Sequence, residues 1–337
     1  MGKNSYTIKD IAKMANVSTA AVSFTIHGKP GVSDEKRNRI KEIIKQTNYQ
    51  TSVPIKPKAC NIVVLYRDDL QQLDLIFYDE LHNYMISICN DLSYNLMMGA
   101  ALYNNNRVKI SELFNDKDIH GIIVYGDTKQ SILAEINKLS IPIIVLDSSR
   151  KNDGQLAVMV DYSGAAYTAA MHLIELGHRD IAYIGDDAES QHAFNMQVFD
   201  GFRTAMTENN ISIGTNRILF DVFDEESLYA GLERLLREDS MTTALFCAND
   251  SCAIRAIRYL HSKGVNVPKD ISVIGIDDIS IAEYYIPSLT TIHIDREKMV
   301  KHGIELLQKK IENEPCESII MPAGNLAVRE STSKPRK

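Results

Sequence analysis

Ser18, Thr19, Ala20, Ala21, Ser23, Phe24 and His27 fall within one short helical stretch, and Thr7 opens the stretch before it. Hydroxyls at a helix N-terminus accept from backbone amides and meet phosphate oxygens, while Ala and Phe offer apolar contact to a thymine methyl. That chemistry is recognition without bond-making. A second set lies downstream, where Asp147, Asp161, Asn249 with Asp250, and Asp277 with Asp278 each follow a run of strand-forming residues. Short polar side chains at such ends can hydrogen-bond a small polar molecule. Each can equally cap a helix or hold a turn.

Apolar spacing supplies the elements that must position the first set. Ile8, Ile11, Ala12 and Ala15 make one stripe on a first helix capped by Thr7. Asn16 and Val17 connect it to a second helix, capped by Ser18 and running towards His27, with Gly28 as its stop. Pro30 and Gly31 break the chain again. Ser33 caps a third helix, Asp34 and Glu35 sit in its first turn, and Ile40, Ile43 and Ile44 supply its buried face. Val17, Val22 and Ile26 are expected in the core. Two short helices and a tight turn, closed by a third helix, predict a helix-turn-helix unit over residues 1–49. In such a unit the second helix enters the major groove, Ser18 and Ser23 meet phosphate, and Thr19, Ala20, Ser23 and Phe24 face bases.

Charge separates this stretch from the remainder. Residues 1–58 hold eleven Lys and Arg against four acids, a charge of +7. The whole chain is −7, so residues 59–337 carry −14. A basic head on an acidic body suits a chain of which one end meets phosphate. Between them, residues 50–60 contain Pro54 and Pro57 without helical period and are expected to be a linker.

From Asn61 strand-length apolar runs such as NIVVLY, GIIVYG and IPIIVLD alternate with amphipathic helices, among them stretches near 74–92, 107–116 and 129–139. The alternation restarts after residue 160. It predicts two doubly wound parallel sheets and hence two lobes. The first lobe is expected to span about 61–160 plus 292–322, and the second about 162–290 plus 323–337.

The stretch TIKDIAKMANVSTAAVSFTIHGKPGVSDEKRNRIKEIIKQTNY resembles the headpiece of the lactose-repressor (LacI/GalR) family of bacterial transcription regulators. Further blocks, HLIELGHRDIAYIGD, TALFCANDSCAIRAIRYLHSKGVNVPKDISVIGIDDI and PSLTTIHIDREKMVKHGIELL, are similar to the same family, so the resemblance covers essentially the whole chain. It implies a two-lobed, periplasmic-binding-protein-like body that binds an effector and forms a homodimer through the first-lobe helix near 74–92. It also implies that Phe77, Tyr78, Asp161, Asn249 and Asp277 face the effector cleft. Four departures stand out, one of them Leu75-Ile76 where the family usually has Asn-Pro before the aromatic pair, so that a polar group of the cleft is missing. Phe24 replaces a frequent base-contacting Arg. The linker lacks the hinge Leu, leaving Val53 and Ile55 as the apolar residues for a minor-groove wedge. Val198 stands where the family commonly has an Arg, with Gln197 as its weak substitute.

Catalytic motifs are missing: there is no Gly-rich phosphate loop, no GxSxG and no HExxH. Five cysteines without CxxC spacing suggest reduced thiols, with no metal site and no cofactor. The N-terminus MGKNSYTIKD has no apolar secretion segment and no run reaches membrane-spanning length, so a cytoplasmic protein is expected. The expected function is sequence-specific regulation of transcription, as a repressor. Its partners would be a near-palindromic double-stranded DNA operator and a sugar-, phosphosugar- or nucleobase-like effector. The alternative is a DNA-binding regulator without a small-molecule effector, constitutive or controlled by a protein partner.

Overall fold

The computed structural model describes residues 6–26, 31–47, 60–67, 72–101, 118–126, 130–148, 155–185, 193–220, 222, 224–239 and 241–336. His27, most of the linker and the helix expected near 107–116 lie outside them. The chain divides into two compact units, Met1–Ala59 and Cys60–Lys337.

The first unit contains α1 (Ile8–Ala15), α2 (Thr19–Ile26) and α3 (Asp34–Thr47). Its core is small: Ile11, Ala12, Ala15, Val22 and Ile40 are buried, with Ile8, Val17, Ile26, Ile43 and Ile44 packed around them. Val17 and Ile26 therefore rim this core, and Thr25 is buried beside Val22 three residues earlier on the same helical face.

The second unit runs β1 (Asn61–Arg67), α4 (Gln72–Asp91), β2 (Asn95–Ala101), β3 (Gly121–Tyr125), α5 (Gln130–Asn137), β4 (Ile143–Leu146), β5 (Leu156–Val160), α6 (Tyr162–Glu175), β6 (Ile181–Ile184), α7 (Ala193–Glu208). It continues with β7 (Ile218–Leu219), α8 (Glu225–Glu238), β8 (Ala244–Cys247), α9 (Asp250–Ser262), β9 (Ser272–Asp277), α10 (Ser280–Tyr284), β10 (Thr290–His293), α11 (Arg296–Ile311), β11 (Ile319–Met321) and β12 (Leu326–Ala327). One sheet has the order β11-β5-β4-β3-β1-β2 and is parallel throughout; the other has the order β12-β10-β9-β8-β6-β7, antiparallel only at β12. β3 and β4 are buried along their whole length, as expected of parallel strands covered by helices on both faces.

The chain crosses between lobes at three places. β5 ends the first sheet's early strands and α6 begins the second lobe, so residue 161 is one crossing. β10 pairs with β9, which places Thr290–His293 in the second sheet, not at the start of the first-lobe return. The return therefore begins with α11, which packs on α4 and the first sheet, and β12 closes the last crossing by pairing with β10. The apolar run TTIH alone could not reveal which sheet it joins.

His178, which follows a helix in LGHRD and reads from sequence as a turn residue, also joins two segments. It is buried, with Nδ1 2.8 Å from Thr243 Oγ1 and Nε2 2.8 Å from the Ser333 carbonyl, and so ties the C-terminal segment to the second lobe. Packing between α6 and α7 is equally close. A Cβ on Gly201 of α7 would collide with the carbonyl oxygen of Ser163, a backbone atom that cannot swing aside. Gly201→Ala should cost about 2 to 3 kcal/mol of stability, by overpacking. Urea unfolding checks it, and an unchanged midpoint would show that the helices can part freely.

Candidate functional site

In the headpiece, Thr7 and Asp10 form a reciprocal cap. The Thr7 amide donates to Asp10 Oδ2 at 2.8 Å, and the Asp10 amide donates to Thr7 Oγ1 at 3.4 Å. The Thr7 hydroxyl, which donates to Asp10 Oδ2 at 2.6 Å, and after it the Thr7 amide hold the Asp10 carboxyl below its ordinary range. α1 ends where Asn16 takes a left-handed backbone with φ of 54°, the sharp turn that lets the chain reverse into α2. Ser18 caps α2, its Oγ accepting from the Ala21 amide at 3.1 Å. That leaves the first turn of α2 pointing outward: Thr19 and Ala20 are exposed, and Ala21 and Ser23 half-buried. Phe24 is 38% exposed and its ring leans along Gly31, which has φ of 105°. On α3, Lys36, Arg39, Lys41 and Lys45 are exposed. An uncharged helix start in a unit whose third helix exposes cations has the character of a surface that meets a polyanion.

In the second unit the sequence-expected residues separate into groups. Asp161 caps α6 through the Gly164 amide at 2.8 Å and is exposed. With Gln197 it lines an open groove of about 690 Å³, together with Ser163, Asp200, Met321 and Pro322. Asn249 caps α9, accepting from the Cys252 amide at 2.8 Å. Neighbouring Asp250 is fully buried, a structural group that accepts from Thr291 Oγ1 at 2.5 Å and the Ile279 amide at 3.0 Å.

Phe77 and Tyr78 lie on α4, edge to face at 5.3 Å. Phe77 is buried, while Tyr78 stacks on Tyr125 at 5.9 Å and its hydroxyl donates to Asp147 Oδ2 at 3.2 Å. The other Asp147 oxygen accepts from the Tyr162 hydroxyl at 2.5 Å. Tyr162 is fully buried, which pushes its phenol well above the usual range, and the charges of Asp147 and Asp277 push the same way. Its ring packs against Phe194 at 4.6 Å. Tyr78, Asp147, Tyr162 and Phe194 are thus packed on one another in a cluster of aromatic rings around a carboxylate, apart from the residues that line the groove at Asp161 and Gln197.

Tyr162, Glu80 and Arg296 are the residues that strand-end spacing could not find. Arg296 places its guanidinium 5.4 Å from the Phe77 ring, pairs with Glu80 at 3.0 Å, and donates to the carbonyls of Asp277 and Asp278 at 2.5 and 2.7 Å. Among the described residues no group of three or more His, Cys, Asp or Glu could hold a metal ion, and no helix is long and apolar enough to cross a membrane.

Comparison with known proteins agrees at both units. Residues 7–52 match the model of bacterial regulatory proteins of the lacI family, and residues 170–332 match a periplasmic binding protein-like domain. An HTH-type transcriptional repressor PurR from Histophilus somni is 30% identical over 331 residues, covering 96% of this chain and 98% of the relative. Solved structures share the fold. A transcriptional regulator CelR in complex with cellobiose has a TM-score of 0.70 at 23% identity, covering 97% of this chain and 99% of that one. The lac repressor dimer bound to operator and an anti-inducer has a TM-score of 0.67 at 21% identity, covering 98% and 100%. With a helix-turn-helix unit ahead of two parallel-sheet lobes, and with a relative this similar from end to end, the chain belongs to the lacI family of bacterial regulatory proteins.

Proposed function

We propose that this chain is a sequence-specific transcriptional repressor that works in the cytoplasm as a homodimer, with DNA affinity set by a small molecule between its lobes. The observation that carries it is the first turn of α2, where Thr19 and Ala20 stand exposed beside the Ser18 cap in a unit of net positive charge. One headpiece reads only a few base edges, so useful specificity calls for two copies on a near-palindrome. Exposed apolar side chains support self-association: Tyr284 and Ile286 are 78% and 89% exposed, and Tyr84, Ile86 and Met98 also face outward. No catalytic role is assigned to the strand-end carboxylates, because Asp161 serves as a helix cap, Asp147 as a lobe contact and Asp250 as a buried strut.

The effector proposed is a small polar molecule, sugar-, phosphosugar- or nucleobase-like, since Asp161, Ser163, Gln197 and Asp200 give the open groove its polar groups. PurR, cellobiose-bound CelR and the operator-bound lac repressor are each similar proteins that support the general scheme. A second reading, control without any small molecule, is favoured by one fact: both oxygens of Asp147 are already engaged by tyrosines. Thermal-shift screening against sugars, phosphosugars and nucleobases separates the two. A hit abolished by Asp277→Ala supports the effector, and no shift with any class supports the second reading. Light scattering that reported only monomer would contradict the dimer.

A further inference from the structure

We infer that Glu80 and Arg296 form a latch that holds the two lobes together without any ligand. The latch crosses the lobes twice. Arg296 opens α11, which packs on the first lobe, yet two of its guanidinium nitrogens donate to the carbonyls of Asp277 and Asp278 at the end of β9 in the second lobe. Glu80, on first-lobe α4, pairs with Arg296 at 3.0 Å through Oε2 and accepts from the Ser280 amide of the second lobe at 2.8 Å through Oε1. The planar fork of Arg suits this double grip, which a Lys point charge could not reproduce.

The receiving turn is held ready from inside its own lobe. Asp277 and Asp278 have φ of 122° and 54°, left-handed backbone that residues with a Cβ rarely adopt. Asp278 is fixed by Arg329 Nη2 at 2.7 Å and His293 Nδ1 at 3.0 Å, and the following amide of Ile279 is fixed by Asp250. The turn thus presents its carbonyls to Arg296 and its Ser280 amide to Glu80.

Burial makes the latch two-state. The side chains of Arg296 and Glu80 are only 7% and 19% exposed, so each charge is compensated by the other and by the turn, and parting the lobes exchanges all these bonds for water at once. A further tie joins the lobes where Asp147 of the first accepts from Tyr162 of the second. A ligand acting on this chain must therefore bind lobes that are already closed or work against the latch.

Small-angle scattering on the extensively dialysed full chain tests this. The unmodified protein should fit the lobe arrangement seen here, and Arg296→Met should raise the radius of gyration measurably, with Arg296→Lys between the two. Scattering from unmodified protein that already requires separated lobes, or an Arg296→Met curve that superimposes on it, would overturn the latch. Hydrogen exchange on the unmodified chain decides independently of how the variants fold: the Ser280 amide should exchange at least tenfold slower than an unprotected amide, and unprotected exchange would overturn the proposal. The latch rests on lobe geometry alone. Only its effect on DNA rests on the repressor function, so lobes that open in Arg296→Met with operator affinity unchanged would leave the latch standing and contradict that function's coupling.

Discussion

Ile40→Ala should unfold the amino-terminal unit and abolish DNA binding while the two-lobed unit melts where it did before. Ile40 is fully buried in a core whose other buried members are Ile11, Ala12, Ala15 and Val22. Truncating a buried Ile to Ala costs about 2 to 5 kcal/mol, the lost transfer energy plus the cavity left behind. A core of this size supplies only about 3 to 5 kcal/mol in all, so the substitution removes most of the stability that the unit has. The second unit has its own, far larger core and no share in that cavity. Amide dispersion in NMR spectra would show the headpiece signals collapsing, alongside calorimetry for the main transition. One shifted transition for the whole chain would contradict the separation, and retained DNA binding would mean that the helices stay docked.

Asp250 gives the second large effect, and it depends on pH. Burial pushes its carboxyl up to about 8, although Thr291 and the Ile279 amide pull the other way. Folding therefore raises this group above its ordinary 3.8. Between those values the native chain keeps a proton that the unfolded chain has released. The contribution to stability is full below pH 3.8 and is lost as pH rises towards about 8. The slope is on the order of 1 kcal/mol per pH unit. Asp250→Asn keeps an acceptor for Ile279 and removes the ionisation, so the variant should gain on the parent steadily from pH 5 to pH 8. Parallel stability curves, read by denaturant unfolding at each pH, would show that the buried carboxyl pays no desolvation cost.

Much of this architecture was legible in the chain because its signals are local. Thr7 before Ile8, Ser18 before Thr19, and Asn16 between two apolar stripes announce caps and a turn that need no tertiary partner. The strand runs of the body were legible for a similar reason, since buried parallel strands are apolar without interruption. What local pattern could not supply was partnership. TTIH is a strand in either lobe until its neighbour is known, and its pairing with β9 moved one crossing point. Thr25 is buried in place of Ile26 because helix docking, not hydrophobicity, sets which face turns inward.

The candidate site shows the same division. The strand-end rule singled out Asp147, Asp161, Asn249 and Asp277, and the structure gives each a defined backbone or side-chain setting, two of them as helix caps. Resemblance pointed to Phe77 and Tyr78, which meet Arg296 and Asp147 respectively. Neither route could name Tyr162 or Arg296. Tyr162 looks like the ordinary first residue of a helix, and Arg296 like one cation in a charged first turn. Only the folded chain brings one onto Asp147 and the other onto the β9 turn. Val198, standing where the family commonly has an Arg, is fully buried, so the second lobe presents packing there rather than a fork.

Selection of sites from random-sequence or genomic duplex DNA by the full-length protein, followed by sequencing at several salt concentrations, tests the central claim most directly. A regulator with this headpiece should enrich one near-palindromic sequence, with affinity that falls steeply as salt rises because phosphate contacts release counterions. The same selection with Thr19→Asp should lose the enrichment, because a carboxylate in the first turn of α2 would face phosphate and acceptor-rich base edges. Recovery of no common motif, or a motif retained unchanged by the Thr19→Asp protein, would contradict the assignment of α2 as the reading helix.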